Sequence, residues 1–312
     1  MSGQPSAAVA RWIRRELDAA PPRAKSLVVT VWGDALAPHG GAVWLSGLIR
    51  LLAPLGLNER LVRTSVYRLT REGWLASRQA GRRSLYRLTA QGRRRFENAY
   101  RRIYALPSEV WDGSWDLVVS PSPTAGTRRG KFRQELAWEG FGAIAGGVYA
   151  RPARPGQTAP AEVIGALDHA ADTVLLRGRE TRSAATPLES LLRRSWDLGR
   201  LDADYRRFIG RFRRVVDHFR GDAAPDPEQC FVVRTLLIHE FRRVTLHDPQ
   251  LPPAMLPAGW HAREAYALCR DFYRLTLRCA ERHLAATLEG GNGPLPPAAP
   301  YFYERFGGLA AP

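Results

Sequence analysis

Several common sequence features are missing from this chain of 312 residues, and each absence excludes a class of protein. Only three cysteines occur, Cys230, Cys269 and Cys279, and they form no C-x-x-C pair, so neither a disulfide framework nor a zinc site is indicated. No apolar run approaches the roughly 20 residues of a membrane-spanning helix. Arginines interrupt the only early apolar stretch, which argues against a signal peptide. We therefore expect a cytoplasmic protein without a membrane segment.

Lysine is nearly absent as well. Lys25 and Lys131 are the only lysines among 46 cationic residues, and the formal net charge is +16. The Ala/Gly/Pro/Arg bias suggests a GC-rich genome, which raises the arginine content without a functional cause. The excess is nevertheless uneven, because residues 58–102 contain thirteen arginines against three acidic residues. Such a local surplus is typical of a phosphate-binding surface.

Composition and periodicity predict three folded parts between two terminal segments. Residues 1–24 form a polar leader that we expect to be partly disordered, with a short helix around Val9 to Leu17. A first domain is predicted over 25–105. An all-helical domain over 186–289 has breaks at DAAPDPEQ and HDPQLPPAMLPAGW, where proline and glycine end helices. The tail, 290–312, is expected to be irregular.

The central part, 114–180, alternates strand-like and helical segments. WDLVVS, GAIAGGVYARP and TVLLRGRE are predicted as strands, and TRRGKFRQELAWEGF and PAEVIGALDHA as helices. This β-α-β-α-β order predicts a small ferredoxin-like domain. The whole chain is thus expected to be a multidomain α+β protein.

The stretch NERLVRTSVYRLTREGWL, residues 58–75, combines a basic and an apolar face on one predicted helix. Asn58 is a favourable N-cap. At about 100° per residue, one side carries mostly apolar residues: Leu61, Val62, Ser65, Val66 and Leu69. The opposite side carries Arg60, Arg63, Thr64, Tyr67 and Arg71. The helix should therefore pack through the first set and present the second set to a partner.

The flanking segments complete a DNA-binding motif. VWLSGLIRLLAPLG predicts a helix over Trp44 to Leu52 and a tight turn with Pro54 and Gly56, which together form a helix-turn-helix. LASRQAGRRSLYRLT predicts a hairpin around Gly81 with a basic tip, typical of the wing of a winged helix. The alternative is that these arginines only form the solvent-exposed face of a helix. This is the favoured interpretation for Arg93 to Arg95 and for Arg101 and Arg102.

Nine residues are predicted to contact DNA. The candidates for base edges are Arg60, Arg63, Thr64 and Tyr67. The candidates for phosphates are Asn58, Arg68, Arg78, Arg82 and Arg83.

These segments also resemble a known family. SLVVTVWGDALAPHGGAVWLSGLIRLLAPLGLNERLVRTSVYRLTREGWL, continued by GRRSLYRLTAQG, resembles the PaaX family of bacterial transcriptional repressors. RTLLIHEFRRVTLHDPQLPPAMLPAGW resembles the same family, and the pattern from WDLVV to GGVYARP is similar to its central Cas2-like ferredoxin domain. The resemblance covers about residues 25–285. It implies a repressor of phenylacetate catabolism genes whose inducer is phenylacetyl-CoA.

An acyl-CoA effector requires cations for its phosphates and apolar walls for its acyl group. TRRGKFR supplies Arg128, Arg129 and Lys131 at a helix start, where exposed amides also favour phosphate. The helical domain supplies a second set of candidates: Trp196, Tyr205, Arg234, His239, Arg242 and Arg243. For each of these residues, ordinary packing or surface charge is an alternative interpretation.

No constellation of catalytic or metal-ligating residues stands out. His239 and His247 are eight positions apart, so they do not share a helix face at the spacing of zinc ligands. Asp116 lacks the acidic partners that a two-metal nuclease uses. We therefore expect a protein that is not an enzyme and holds neither a metal nor a cofactor.

The hypothesis that results is a homodimer on double-stranded DNA. Two recognition helices would bind an imperfect palindrome, and an aryl-acyl-CoA such as phenylacetyl-CoA would favour a dimer geometry that releases the operator. Three alternatives stay open: the same fold regulating another pathway with a different effector, an architectural DNA binder without an effector, and an enzyme that acts on nucleic acid.

Overall fold

The computed structural model describes a chain that divides into two compact units. Its described residues are 4–106, 111–120, 130, 132–133, 136–137, 139–153, 161, 173–181, 188–221, 225–290 and 293–309. The first unit comprises Met1–Ala105, Arg207–Arg242 and Arg263–Pro312, and the second comprises Leu106–Arg206 and Arg243–Ala262. The predicted domain boundaries follow the order of the chain, whereas these units group segments that are distant in sequence, so the boundaries stay a prediction.

The amino-terminal part of the first unit is a winged helix-turn-helix. Its elements are α1 (Ala7–Ala19), α2 (Ala24–Val31), β1 (Ala42–Trp44), α3 (Leu45–Leu52), α4 (Glu59–Arg71), β2 (Leu75–Ala80), β3 (Arg83–Leu88) and α5 (Ala90–Tyr104). The strands form an antiparallel sheet in the order β1-β3-β2. Asn58 and Thr89 begin α4 and α5 because each side-chain oxygen accepts a backbone N–H of the first turn. The helix-turn-helix and the hairpin confirm the predicted fold.

The described part of the second unit contains a sheet of β4 (Ser114–Val119), β5 (Gly142–Ala145), β6 (Val148–Pro152) and β7 (Val174–Arg179). Its strand order, β5-β6-β4-β7, with antiparallel neighbours, belongs to a ferredoxin-like unit. Most of the predicted helix TRRGKFRQELAWEGF and nearly all of PAEVIGALDHA lie outside the described residues.

The prediction of GAIAGGVYARP as one strand is wrong, because the segment is a hairpin of β5 and β6. The chain reverses at Gly146 and Gly147. Gly147 has a φ of +75°, and a Cβ at this position would lie 2.4 Å from the carbonyl oxygen of Ser120. Only glycine fits such a close approach of two backbone segments in this conformation.

Each face of this sheet covers an apolar core. One core contains Val118, Phe132, Leu136, Phe141 and Tyr149. The other contains Trp115, Ala150, Leu198, Leu251 and Met255. The alternation of side chains along β4 explains this division, since successive residues of a strand point to opposite faces.

Asp116 lies on β4 and is fully buried between two arginines. Its carboxylate oxygens accept hydrogen bonds from Nε of Arg151 at 3.3 Å and from Nε of Arg177 at 2.7 Å. The guanidinium of Arg151 also donates to the carbonyl of Glu139 at 2.8 Å. The carboxylate is therefore occupied by cations of the protein itself, which is the arrangement of a structural ion pair rather than of a metal ligand.

The remaining elements are mostly helical. They are α6 (Leu188–Arg193), α7 (Leu198–Arg220), α8 (Pro227–Thr245), α9 (Ala262–Thr287), β8 (Glu289–Gly290), β9 (Gly293–Pro294) and α10 (Pro300–Tyr303). The breaks predicted from DAAPDPEQ and HDPQLPPAMLPAGW are confirmed on either side of α8. None of the helices in the described ranges is long and apolar enough to cross a membrane.

The described parts of the two terminal segments bury aromatic side chains in the first unit. In the leader, α1 buries Val9 and Trp12, and the Trp12 ring lies 5.5 Å from that of Phe212. In the tail, Phe302 and Phe306 are buried. Burial of these rings stabilises the packing of both segments, because a large apolar side chain is removed from water.

A cluster of buried charges holds the tail against the winged helix. Asp34 follows α2, and its Oδ1 accepts hydrogen bonds from Tyr104 at 2.6 Å, Tyr273 at 3.0 Å and Arg305 at 3.1 Å. Nε of Arg234 lies 3.7 Å from the other carboxylate oxygen. Burial, followed by the negative charge of Asp34, raises the pKa of Tyr104 well above its ordinary value. Both arginines are fully buried, so this cluster depends on mutual pairing of its charges.

Candidate nucleic-acid interface

The two faces of α4 separate as the sequence predicts, with one exception. Val62, Ser65, Val66 and Leu69 are buried, and α4 packs with them against α2 and α3. The assignment of Leu61 to this face is wrong, because its side chain is 43% exposed. At about 100° per residue, Leu61 lies about 40° beyond Ser65, at the margin of the buried stripe and in the first turn of the helix.

The four predicted base-reading residues lie together on the exposed face. Arg60, Arg63, Thr64 and Tyr67 are all exposed, and Tyr67 exposes 61% of its surface. Nε of Arg63 donates to Oε1 of Glu59 at 2.7 Å, one helical turn earlier. Both side chains of this pair are more than half exposed, so the pair is weak and Arg63 can exchange Glu59 for another acceptor.

Among the predicted phosphate contacts of α4, Asn58 and Arg68 are exposed. The side chain of Asn58 accepts a hydrogen bond from the backbone N–H of Leu61 at 3.0 Å. Asn58 therefore has a structural role as the N-cap of α4, and its side-chain NH2 group is the part that remains for a phosphate oxygen.

The turn before α4 sets the angle at which the helix emerges. A short 3-10 turn, Ala53–Leu55, is followed by Gly56 with a φ of +80°. Leu55 and Leu57 on either side of this glycine are buried. A left-handed residue between two buried leucines reverses the chain within a few residues, so that α4 crosses α3 and keeps its basic face outward.

The wing is the hairpin of β2 and β3, which turns at Gly81 and Arg82. Ala80 pairs with Arg83 across the tight end, and Gly81 has a φ of +58°. Arg78, Arg82 and Arg83 are all exposed near the tip. Three cations on a narrow hairpin beside a basic helix are typical of winged-helix proteins, in which such a hairpin contacts the DNA backbone.

Arg83 differs from the other cations of the wing because it has two partners in the same unit. Its NH2 atom donates to Oε2 of Glu289 at 2.8 Å, and its guanidinium lies 4.2 Å from the centre of the Trp44 ring. The sequence provides no signal for this contact, since Arg83 and Glu289 are 206 positions apart.

Helix α2 supports α4 from behind and is itself held by α8. Nδ1 of His239 lies 2.8 Å from Oγ1 of Thr30, and NH1 of Arg242 donates to the same oxygen at 2.7 Å. The same guanidinium group donates to the carbonyl of Ser26 at 3.0 Å. Helix α2 therefore contacts both α8 and α4, the helix that carries the basic face.

The helical residues predicted to bind an effector are divided between the two units. Arg234, His239 and Arg242 belong to the first unit, where Arg234 is held by two bonds of 3.1 Å to Glu281. The others, Trp196, Tyr205 and Arg243, belong to the second unit.

The three candidates in the second unit have local contacts of their own. Tyr205 donates from its hydroxyl to Oδ2 of Asp248 at 2.7 Å. Trp196 covers Gly142, where a Cβ would lie 2.7 Å from its ring. The backbone carbonyl of Arg243 lies 2.6 Å from Nδ1 of His247. Arg128, Arg129 and Lys131 lie outside the described residues, and the effector site as a whole stays a prediction.

The comparisons with known proteins fall in the same order along the chain. Family profiles match at residues 23–92 (PaaX-like protein), 108–188 (PaaX protein central Cas2-like domain) and 196–286 (PaaX-like protein C-terminal domain). The chain is 35% identical over 302 residues to "Transcriptional repressor PaaX" of Escherichia coli (strain K12), covering 96% of this chain and 94% of that protein. A solved structure of an uncharacterized protein from Mycobacterium tuberculosis shares 27% identity, with a TM-score of 0.47, over 78% of this chain and 90% of the other.

Proposed function

Because the chain belongs to the PaaX family of transcriptional repressors, we propose that it binds operator DNA through the exposed face of α4 and the wing. The same membership confirms the expectation that it is not an enzyme. The observation that carries the proposal is the division of α4, whose apolar side is buried against α2 and α3 while its arginines face outward.

Within this interface, α4 enters the major groove. Arg60 and Arg63 lie in its first turns, where a recognition helix comes closest to base edges. An arginine that donates two hydrogen bonds to guanine is the commonest specific contact, and Thr64 and Tyr67 add hydroxyl groups beside it. Arg63 would exchange its bond to Glu59 for the guanine edge as the complex forms.

The residues proposed to contact phosphates lie around the four base-reading residues of α4. Asn58 caps α4 and Arg68 lies in its last turn, and Arg78, Arg82 and Arg83 extend the basic surface along the wing. These contacts orient the protein on the duplex and contribute most of the affinity that does not depend on sequence.

A homodimer would place two copies of α4 on the half-sites of an imperfect palindrome in double-stranded DNA. The family resemblance supports repression of phenylacetate catabolism genes and release by an aryl-acyl-CoA such as phenylacetyl-CoA. Effector binding would lower DNA affinity by favouring the state in which the two α4 helices are wrongly spaced.

The contact of α8 with α2 provides a physical route for this effect. His239 and Arg242 hold Thr30 and Ser26 of the helix that backs α4. If a ligand shifts α8, α2 must either follow or lose these hydrogen bonds. The route requires no contact between the ligand and α4.

The decisive experiment is fluorescence anisotropy with DNA from upstream of the protein's own operon. Phenylacetyl-CoA, free phenylacetate and CoA are added separately to the complex. We expect tight binding without ligand and release by the thioester alone. Release by a different acyl-CoA or by a free acid would mean that the protein serves another pathway, and no release together with an unchanged Tm would favour an architectural DNA binder.

A further inference from the structure

We propose that Glu289 is an internal competitor for the phosphate site of the wing: its carboxylate occupies the position at Arg83 that a DNA phosphate takes in the complex. This inference rests on the proposed function, since it concerns the same DNA interface. It adds a residue far from the winged helix in sequence to the set that determines DNA affinity.

The contact itself has the chemistry of a phosphate contact. One carboxylate oxygen of Glu289 lies 2.8 Å from NH2 of Arg83. The side chains are 51% and 63% exposed, so the pair is at the surface, where DNA can approach it. A carboxylate and a phosphate both offer anionic oxygens to the guanidinium fork. The hydrogen bond to Arg83, followed by its charge, holds the pKa of Glu289 below its ordinary value, so the competitor is an anion at neutral pH.

Both partners are held in place by their surroundings. The guanidinium of Arg83 lies 4.2 Å from the centre of the Trp44 ring, which orients it. The backbone around Glu289 is anchored to the same region, because the indole N–H of Trp44 donates to the carbonyl of Gly290 at 3.1 Å. Leu288 is buried, and NH2 of Arg50 donates to the carbonyl of Thr287 at 3.1 Å. The ion pair is therefore a product of the packing of β8 against β1 rather than of two mobile side chains.

The ion pair between Arg83 and Glu289 opposes the contact of Arg83 with a DNA phosphate. Arg83 can contact a phosphate only if Glu289 gives up its bond, and the freed carboxylate then lies beside the DNA backbone. The exchange lowers affinity for any sequence, because phosphates are present in every duplex. It also reduces the number of counterions that DNA binding releases, since the wing arginine is already neutralised before the complex forms.

The test compares wild type with Glu289→Gln in anisotropy titrations on operator and random DNA at several salt concentrations. We expect the variant to bind both DNAs about two- to fivefold more tightly at low salt, the range that the strength of an exposed ion pair sets. The slope of log K against log salt should become steeper by about one unit or slightly less. Tm should stay close to that of the wild type.

Two further variants make the result specific. Glu264→Gln removes the same charge from another exposed pair, with Arg213, at the opposite end of α9 and should leave DNA affinity unchanged. In an Arg83→Ala background, the gain from Glu289→Gln should shrink, because only the repulsion between the carboxylate and the DNA backbone is then removed. The inference is overturned if Glu289→Gln does not raise affinity, if Glu264→Gln raises it equally, or if the gain is undiminished without Arg83. Failure of the wild type to bind operator would instead refute the proposed function.

Discussion

The exposed arginines of α4 and the buried arginines of the same unit differ in their partners rather than in their chemistry. Arg60 and Arg68 face solvent on the recognition helix. Arg234 and Arg305 have no exposed surface and pair with Asp34 in the core. An exposed cation keeps its hydration and can exchange water or a weak partner for phosphate at little cost. A buried cation has lost its hydration, so its partner is indispensable and its contribution is to folding.

Arg83 stands between these two groups and shows that the distinction is graded. It is exposed like the arginines of α4, yet it has a carboxylate partner and an aromatic ring beneath it. A count of positive charges would treat all of these residues alike. Under the proposed function, DNA affinity depends on which arginines have partners that DNA must displace.

The largest expected effect is the loss of stability when a buried arginine is removed. Arg305→Ala should lower the free energy of unfolding by about 3–5 kcal/mol, because Asp34 then keeps a buried charge without its closest cation. Urea denaturation measures this loss. Arg94→Ala, the same change at an exposed position of α5, should alter stability by less than about 0.5 kcal/mol. Similar losses from both variants would contradict the distinction.

A second effect concerns Glu281, which pairs with Arg234 at 3.1 Å and with Nε2 of His39 at 2.9 Å. Burial raises its pKa, but the hydrogen bond from His39 and the charge of Arg234 outweigh burial and leave the pKa below its ordinary value. Glu281→Gln should therefore lower stability at neutral pH by about 1.5–3 kcal/mol.

The pH dependence of this second effect has a defined sign. A carboxyl group with a lowered pKa in the folded state stabilises the protein above its ordinary pKa, and this stabilisation is lost as the pH falls through the lowered value. The difference in unfolding free energy between wild type and Glu281→Gln should be constant between about pH 7 and about pH 5 and should shrink as the pH falls below the ordinary glutamate value of 4.5. A difference that does not shrink below that value would show that the charge of Glu281 does not contribute.

On the exposed side, Arg63→Ala should reduce affinity for the cognate operator by about 1–3 kcal/mol and for random DNA by much less. The reason is that base edges differ between the two DNAs and phosphates do not. Anisotropy titrations on both duplexes measure this difference. Equal losses of affinity on the two duplexes would show that Arg63 does not read bases. An unchanged Tm would show that the variant is folded.

The smallest effect is expected for Arg82→Ala at the wing tip. Binding to every sequence should weaken modestly, and the slope of log K against log salt should decrease in magnitude by about 1. Titrations of operator and random DNA at several salt concentrations give both quantities. A slope equal to that of the wild type would exclude a phosphate contact of Arg82.

The elements that the sequence predicted well are those whose signals lie within a few residues. Asn58 caps α4 through a bond to Leu61, three positions later, and the wing turns at Gly81 within one hairpin. The prediction of GAIAGGVYARP as a single strand was wrong, because two adjacent glycines are compatible with both an extended strand and a turn. The distinction is made by the approach of Gly147 to the carbonyl of Ser120, a contact with a different segment of the chain.

The sequence by itself determined the two faces of α4, its cap, the basic wing and the family, because periodicity, capping and motif spacing are local properties. The tertiary structure decided which arginines are exposed and which are paired. Asp34 and Arg305 are 271 positions apart, and Arg83 and Glu289 are 206 apart. The physical reason is that a charge acquires its role from its burial and its nearest opposite charge, and both are set by segments that only the fold brings together.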